Sequence, residues 1–169
     1  MWIYSKNSDN SARFILGESG KRPLVCLGIN PSTAEPDKLD NTLRSVRNYS
    51  LRKGYDGWIM FNVYPQRATK PSKLHQEMDK VIHKRNLKQI KKTISSYPNL
   101  TIWAAWGTLI RKRPFLKRCL SDIITALEPY PVNWVCRGNA KEHPHHPLYL
   151  RKSLPFRSFD IMKYLKFIG

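Results

Sequence analysis

The sequence predicts an α/β fold: a three-layer α/β/α sandwich around a central, mainly parallel sheet of four strands. Four short, almost uninterrupted apolar runs, at 24–29, 58–63, 100–106 and 132–136, have the pattern of strands buried on both faces. The segments between them carry apolar residues at helical spacing, and strands that alternate with helices imply a parallel sheet covered on both sides. No repeat, linker or low-complexity stretch divides the 169 residues, so the prediction is a single domain over 1–169.

Trp2-Ile3-Tyr4 and Arg13-Phe14-Ile15-Leu16 are suited to an added N-terminal hairpin. Leu24 to Ile29, opened by Pro23 and closed by Asn30-Pro31, is the first buried strand. Asp40, Asn41 and Thr42 then offer capping oxygens to a helix whose Leu43, Val46, Tyr49 and Leu51 share one side and which ends at Gly54. Trp58 to Val63 forms the second strand, ended by the stretch from Pro65 to Pro71. A long polar helix begins at Ser72 or Lys73 and runs to about Ser96, with Leu74, Met78, Val81, Ile82, Leu87, Ile90 and Ile94 in helical period. Leu100 to Trp106 is the third strand, broken by Gly107. From Thr108 to about Leu127 the pattern is helical again, with Pro114 in a first turn or marking a break. Val132 to Cys136 is the fourth strand and leads through a His/Pro loop to a basic helix around Phe159 to Phe167.

The 30 Lys+Arg and 12 Asp+Glu leave a formal net charge of +18, which makes nucleic acid the leading partner. A basic surface serving only solubility, a ribosome or an anionic lipid are the alternatives, and charge alone does not separate DNA from RNA. A hydrophobic fraction of 41%, with five Trp, eight Tyr and six Phe, excludes disorder of the whole chain. No apolar run approaches the roughly 18 residues of a membrane span, and residues 1–12 do not read as a secretory leader. Three widely separated cysteines, without a C-x-x-C pair, indicate a reducing, cytoplasmic setting and no disulfide framework. The oligomeric state is not written in the sequence, and a monomer is the simplest expectation.

Several chemistries are excluded by their motifs. There is no G-x-x-x-x-G-K-[ST] or G-x-G-x-x-G loop and no nucleophile elbow. Cys136, His143, His145 and His146 lie close together, but prolines interrupt them and no H-E-x-x-H or paired C-x-x-C is present. Neither a metal nor a cofactor is expected.

Ligands of parallel α/β sheets bind beyond the carboxyl ends of the strands, so the segments after Ile29, Val63, Ala105 and Cys136 should meet at one site. Those segments hold Gly28-Ile29-Asn30-Pro31-Ser32, Asn62, Trp106-Gly107 and His143-Pro144-His145-His146-Pro147. Each has a structural explanation of its own: a turn, a bonded strand asparagine, a core tryptophan before a helix. Their order, G-x-N-P-[small], Asn, W-G-x-x-x-x-K and H-P, resembles the uracil-DNA glycosylase superfamily. A closer resemblance, over roughly Leu24 to Leu150, is to an uncharacterised bacterial domain family. It is carried by NPSTA (Asn30 to Ala34), Asp40 to Arg44, Gly54-Tyr55, N-x-x-x-x-R-A-T (Asn62 to Thr69), Asn86, Ala105-Trp106-Gly107 and HPLYL (His146 to Leu150).

The glycosylase resemblance implies a uracil-DNA glycosylase-like fold and a DNA glycosylase that hydrolyses the N-glycosidic bond of a flipped uracil-like or modified base. In this reading Asn30 positions the water, Pro31 and Ser32 shape the turn at the sugar, and Asn62 reads the base edge with its amide. His143 falls on the H-P position and donates to the leaving base; His145 and His146 bind phosphate or hold the loop. Asp40 caps its helix or assists the water. Trp106, Gly107, Arg67 and Thr69 border the same site. Leu148 and Tyr149, with Leu150, either fill the gap left by the flipped base or belong to the core. Arg111, Lys112, Arg113, Arg151 and Lys152 are the candidate phosphate contacts, whereas Lys84, Arg85, Lys88, Lys91 and Lys92 read as a solvated face. Ser32 stands where related sequences often carry Gly, and Thr33 to Leu39 offers no aromatic to stack on a base, departures that fit either a bulky modified pyrimidine in place of uracil or a fold that has lost hydrolysis. The alternative is a non-catalytic nucleic-acid- or nucleotide-binding module using the same pocket. Repair, modification turnover and defence against foreign DNA are all open as roles.

Overall fold

Four parallel strands form the centre of a seven-stranded sheet in the computed structural model, which describes residues 1–169. They are β3 (Pro23–Gly28), β4 (Gly57–Asn62), β5 (Leu100–Ala104) and β6 (Val132–Cys136), side by side in the order β4-β3-β5-β6. Antiparallel strands extend both edges. The hairpin of β1 (Trp2–Lys6) and β2 (Arg13–Glu18) joins β4, with Leu16 opposite Met60. β9 (Arg157–Ser158) pairs with β6. A separate two-residue hairpin is made by β7 (Asn139–Ala140) and β8 (His143–Pro144). The sheet is therefore mixed and larger than the four strands read from the sequence. β9 consists of two exposed polar residues held by backbone pairing alone, so no apolar pattern announces it.

Successive side chains of a strand point to opposite faces, and both faces are covered. Val25, Leu27, Ile59, Phe61 and Ile102 pack against α2 (Lys80–Ile94), α3 (Pro114–Leu127) and α4 (Ile161–Ile168). Leu24, Cys26, Trp58, Met60 and Trp103 pack against Leu43, Val46 and Tyr49 of α1 (Asn41–Arg52). Sequestering each such side chain contributes about 1.5–3 kcal/mol. No helix is long and apolar enough to cross a membrane.

Local chemistry sets the helix ends. Asp40 caps α1 by accepting from the Leu43 N–H at 2.9 Å, and Gly54 follows the helix at φ +77°. α2 starts later than the apolar period suggests. Asp79 caps it, accepting from the Val81 and Ile82 N–H groups at 2.8 and 3.2 Å, and only a single 3₁₀ turn spans Pro71–Lys73. Leu74 is buried within the intervening loop, whose carbonyls at 74 and 75 accept from the Arg113 guanidinium at 3.1 and 3.0 Å. These two contacts hold the segment in its looped path. Pro114 opens α3 after a 3₁₀ segment over Gly107–Arg111.

Candidate base-binding site

A cavity of about 400 Å³ opens at the carboxyl ends of β3 and β4, within the range of small-ligand sites. Segments following all four parallel strands contribute to its wall: Asn30 to Ser32, Ala68 and Thr69, Leu109, and His146 with Leu148. Asp40 to Leu43 bring in the start of α1. A cleft of about 430 Å³ at the amino ends of the strands is as large, lined by Arg22, Asn99, Pro131 and Asn133 among others. The polar groups, rather than the volumes, distinguish the two.

Asn62 is 1% exposed, lines the carboxyl-end cavity, and has no hydrogen-bond partner for either Oδ1 or Nδ2. Its backbone is held from behind, where Asn86 Nδ2 donates to the Asn62 carbonyl at 2.9 Å. Gly28 keeps the space in front open. A Cβ at that position would lie 3.1 Å from Asn62 Oδ1 and 2.6 Å from the Met60 methyl. Leaving a buried amide without partners costs about 1–3 kcal/mol, which sets this side chain apart in the cavity wall.

Asn30 is oriented by the backbone. Its Nδ2 donates to the carbonyls of Ala68 at 2.8 Å and Pro31 at 3.0 Å, which leaves Oδ1 as the free acceptor. An amide oxygen can hold a water but not deprotonate it. Asp40 Oδ1 serves the helix cap, and its other oxygen makes no hydrogen bond within the protein. Ser32 Oγ and Thr69 Oγ1 meet at 3.2 Å in the same wall.

The imidazole in the cavity belongs to His146. The Leu148 N–H donates to its Nδ1 at 3.3 Å, which places the proton of the neutral ring on Nε2 as a donor. Burial and then the neighbouring His145 push its pKa below the ordinary histidine value, opposed by the Asp40 carboxylate. Gly107, at φ +65°, packs on this residue; a Cβ there would lie 3.6 Å from His146 Cβ. His145 Nδ1 is engaged with the His146 carbonyl at 2.7 Å, which ties the loop to itself.

His143 does not line the cavity. It is completely buried beside α4, with Nδ1 2.7 Å from the Tyr164 hydroxyl, which in turn accepts from Trp106 Nε1 at 2.9 Å. Burial, with the nearby Arg111 charge, lowers the His143 pKa. The two-residue pairing of β7 and β8 turns His143 inward and carries the loop on, so that His146 reaches the cavity instead. Trp106 is likewise in the core, against Trp134, Phe159 and Tyr164, and does not line the cavity.

Arg67 braces the wall from outside. Nη1 donates to the carbonyls of Ser32 at 2.5 Å and Ala34 at 3.2 Å, and Nη2 to the Tyr4 hydroxyl at 2.9 Å. Arg113 is engaged with loop carbonyls, whereas Arg111, Lys112, Arg151 and Lys152 are exposed. Leu148 reaches the cavity, Leu150 packs on the α1-side core, and Tyr149 between them is 97% exposed at φ 65°.

Sequence reasoning missed Arg13, 1% exposed in the cavity wall, because it stood at the end of what read as an apolar strand. It also missed Arg44 and Arg52, which with Lys152 line a basic groove that Asn41 shares with the cavity. Their spacing along α1 was the available signal.

Residues 13–148 match the model of a family described as a protein of unknown function, DUF1643. The chain belongs to the DUF1643 family. The matched stretch contains Arg13, Asn30, Asp40, Asn62 and His146, so the whole polar lining of the cavity lies within the DUF1643 region. No curated protein and no solved structure matches the chain.

Proposed function

We propose that this DUF1643 protein is a DNA glycosylase of uracil-DNA glycosylase-like fold, which takes a flipped pyrimidine-like base into the carboxyl-end cavity and hydrolyses its N-glycosidic bond. The observation that carries this reading is the Asn62 amide, buried, without partners and lining a cavity of about 400 Å³, ample for a single base. One acceptor and two donor hydrogens match the alternating edge of a pyrimidine.

Breaking the bond makes the sugar cationic and the departing base negative, in the manner of other glycosyl hydrolyses. Nε2–H of a neutral His146 is suited to donate to the base oxygen as charge gathers there. Asn30 Oδ1 and the free oxygen of Asp40 supply acceptors for the attacking water. Tyr149, exposed next to Leu148 of the cavity wall, is the residue we assign to fill the gap that the base leaves in a duplex, offsetting the few kcal/mol of unstacking. The exposed Arg111 and Lys112 follow Leu109 of the cavity wall, and the α1 groove adds Arg44, Arg52 and Lys152; these are the proposed phosphate contacts.

The test is release of free base, read by mass spectrometry, from single- and double-stranded DNA carrying uracil and modified pyrimidines. Asn62→Ala and His146→Ala should each lower release by about 100-fold or more, on the scale of losing one positioned donor. Duplex affinity should stay within a few-fold and fall steeply with salt.

A non-catalytic base-binding module is the second reading, favoured by one feature: both N–H groups of Asn30 and one oxygen of Asp40 are already engaged. Nucleoside binding by a wild type that releases no base from the whole panel would establish it.

A further inference from the structure

The cavity wall contains a cation without a counter-ion. Arg13 stands at the start of β2, the strand beside β4, and is 1% exposed. Its Nη1 donates to the Ala34 carbonyl at 3.1 Å, but Nε is buried without a partner and Nη2 makes no hydrogen bond within the protein. No carboxylate lies within 4.0 Å of it; the ion pairs of the chain are Arg47–Glu18, Arg67–Glu35 and His83–Asp122. Arg67 donates to the same Ala34 carbonyl at 3.2 Å, so two guanidiniums converge on one neutral oxygen.

Such an arrangement is costly unless something else completes it. A buried charge demands a partner, and Arg67 alone would suffice to anchor the Ala34 carbonyl. Asp40, the one carboxylate of the cavity wall, is held as a helix cap, although its field reaches Arg13. Burial first and the Arg67 charge second reduce the proton affinity of Arg13 to about 10. The atoms left unengaged are informative in themselves. Nε and Nη2 form the edge of a guanidinium that grips a carboxylate with two parallel hydrogen bonds, while Nη1 points elsewhere.

We propose that Arg13 is an oxyanion subsite of the Asn62 cavity, and that the preferred ligand is a pyrimidine bearing a carboxylate on its ring. This rests on the base-pocket reading above and narrows its substrate class. A phosphate of the nucleotide presents the same oxyanion chemistry, but it stays attached to the chain at the cavity mouth. Arg13 and Asn62 both line the cavity and are each 1% exposed, so a ring held by Asn62 would bring its own substituent, rather than the chain phosphate, toward Arg13.

Calorimetry with the full chain at low salt separates these sources, using uracil, 5-carboxyuracil, 6-carboxyuracil, deoxyuridine, dUMP and inorganic phosphate as probes. The expected result is that one of the carboxylated rings binds about tenfold or more tightly than uracil, the gain expected of a charge-assisted two-pronged contact. Arg13→Gln should reduce that ratio to near one, and Arg13→Lys should restore part of it. Because the ratio is read first on the wild type, the conclusion survives if Arg13→Gln fails to fold.

Equal binding of uracil and both carboxylated rings would overturn the carboxylate assignment while leaving the base pocket intact. A preference for dUMP over deoxyuridine without any carboxylate preference would assign the oxyanion to phosphate, again against the proposal. Arg13-dependent binding of inorganic phosphate with no binding of any pyrimidine would remove the base-pocket reading but keep the oxyanion subsite. Absence of binding by every probe would remove both.

Discussion

Asn86 Nδ2 donates to the backbone carbonyl of Asn62 at 2.9 Å, tying α2 to the last residue of β4. The same strand end therefore has a satisfied backbone and an unsatisfied side chain, and substitutions at the two asparagines should act in opposite directions. Asn86→Leu leaves a buried carbonyl unpaired and should cost about 1–3 kcal/mol in urea unfolding. Asn62→Leu removes an amide that has no protein partner, so the free protein should be equally stable or gain about 1 kcal/mol, while binding of deoxyuridine is lost. A loss above about 2 kcal/mol for Asn62→Leu would falsify the view that this amide awaits a ligand.

Asp40 has two separable tasks. Asp40→Ala removes the α1 cap and should cost about 1 kcal/mol, whereas Asp40→Asn keeps a capping oxygen and should unfold within about 0.5 kcal/mol of the wild type. If the free carboxylate oxygen assists the water, Asp40→Asn should still lower base release about 100-fold. Single-turnover kinetics beside thermal unfolding distinguish the two tasks.

Tyr149 is almost wholly exposed and held at φ 65°, a conformation disfavoured for a side chain with Cβ. Tyr149→Gly should raise stability by about 1 kcal/mol. A residue that fills the duplex gap matters only where a duplex exists, so base release should fall for double-stranded DNA and be unchanged for single-stranded DNA. An equal fall on both substrates would mean that Tyr149 does not act as the wedge.

Burial keeps His143 and His146 neutral in the fold, with pKa values below the ordinary 6.5. The unfolded chain therefore binds these protons first. Their contribution to stability is complete above pH 6.5 and is lost as pH falls below it toward the folded-state values. Urea midpoints measured between pH 8 and 5 should drop below pH 6.5, and His146→Gln should flatten part of that drop. A midpoint that rose on acidification would contradict the burial of both rings.

Much of the frame was legible in the sequence. Val132–Cys136 is found where its apolar run predicted it, and Asp40 caps α1 as its residue type suggested. What was not legible depends on long-range pairing. The apolar residues Leu74 and Met78 continue the α2 period, yet Asp79 caps the helix and Arg113, 38 and 39 positions beyond His75 and Leu74, captures their carbonyls. The interchange of His143 and His146 has the same origin. A two-residue β-pairing between Asn139–Ala140 and His143–Pro144 decides which imidazole turns inward, and a run of His and Pro contains no sign of it. Arg13 was hidden because its neighbours Phe14, Ile15 and Leu16 are all buried, so one cation in that stretch read as a strand end.

The antiparallel direction of β2 has a practical meaning for anyone shortening this protein. An antiparallel neighbour delivers its first residue, not its last, to the rim where the parallel strands terminate, and so the edge hairpin is a wall of the cavity rather than an ornament on the sheet. The DUF1643 match begins at residue 13, the guanidinium itself. A version trimmed to the parallel strands and their helices would keep Asn30, Asn62 and His146 but forfeit the positive charge beside them, on which the proposed preference for acidic rings depends.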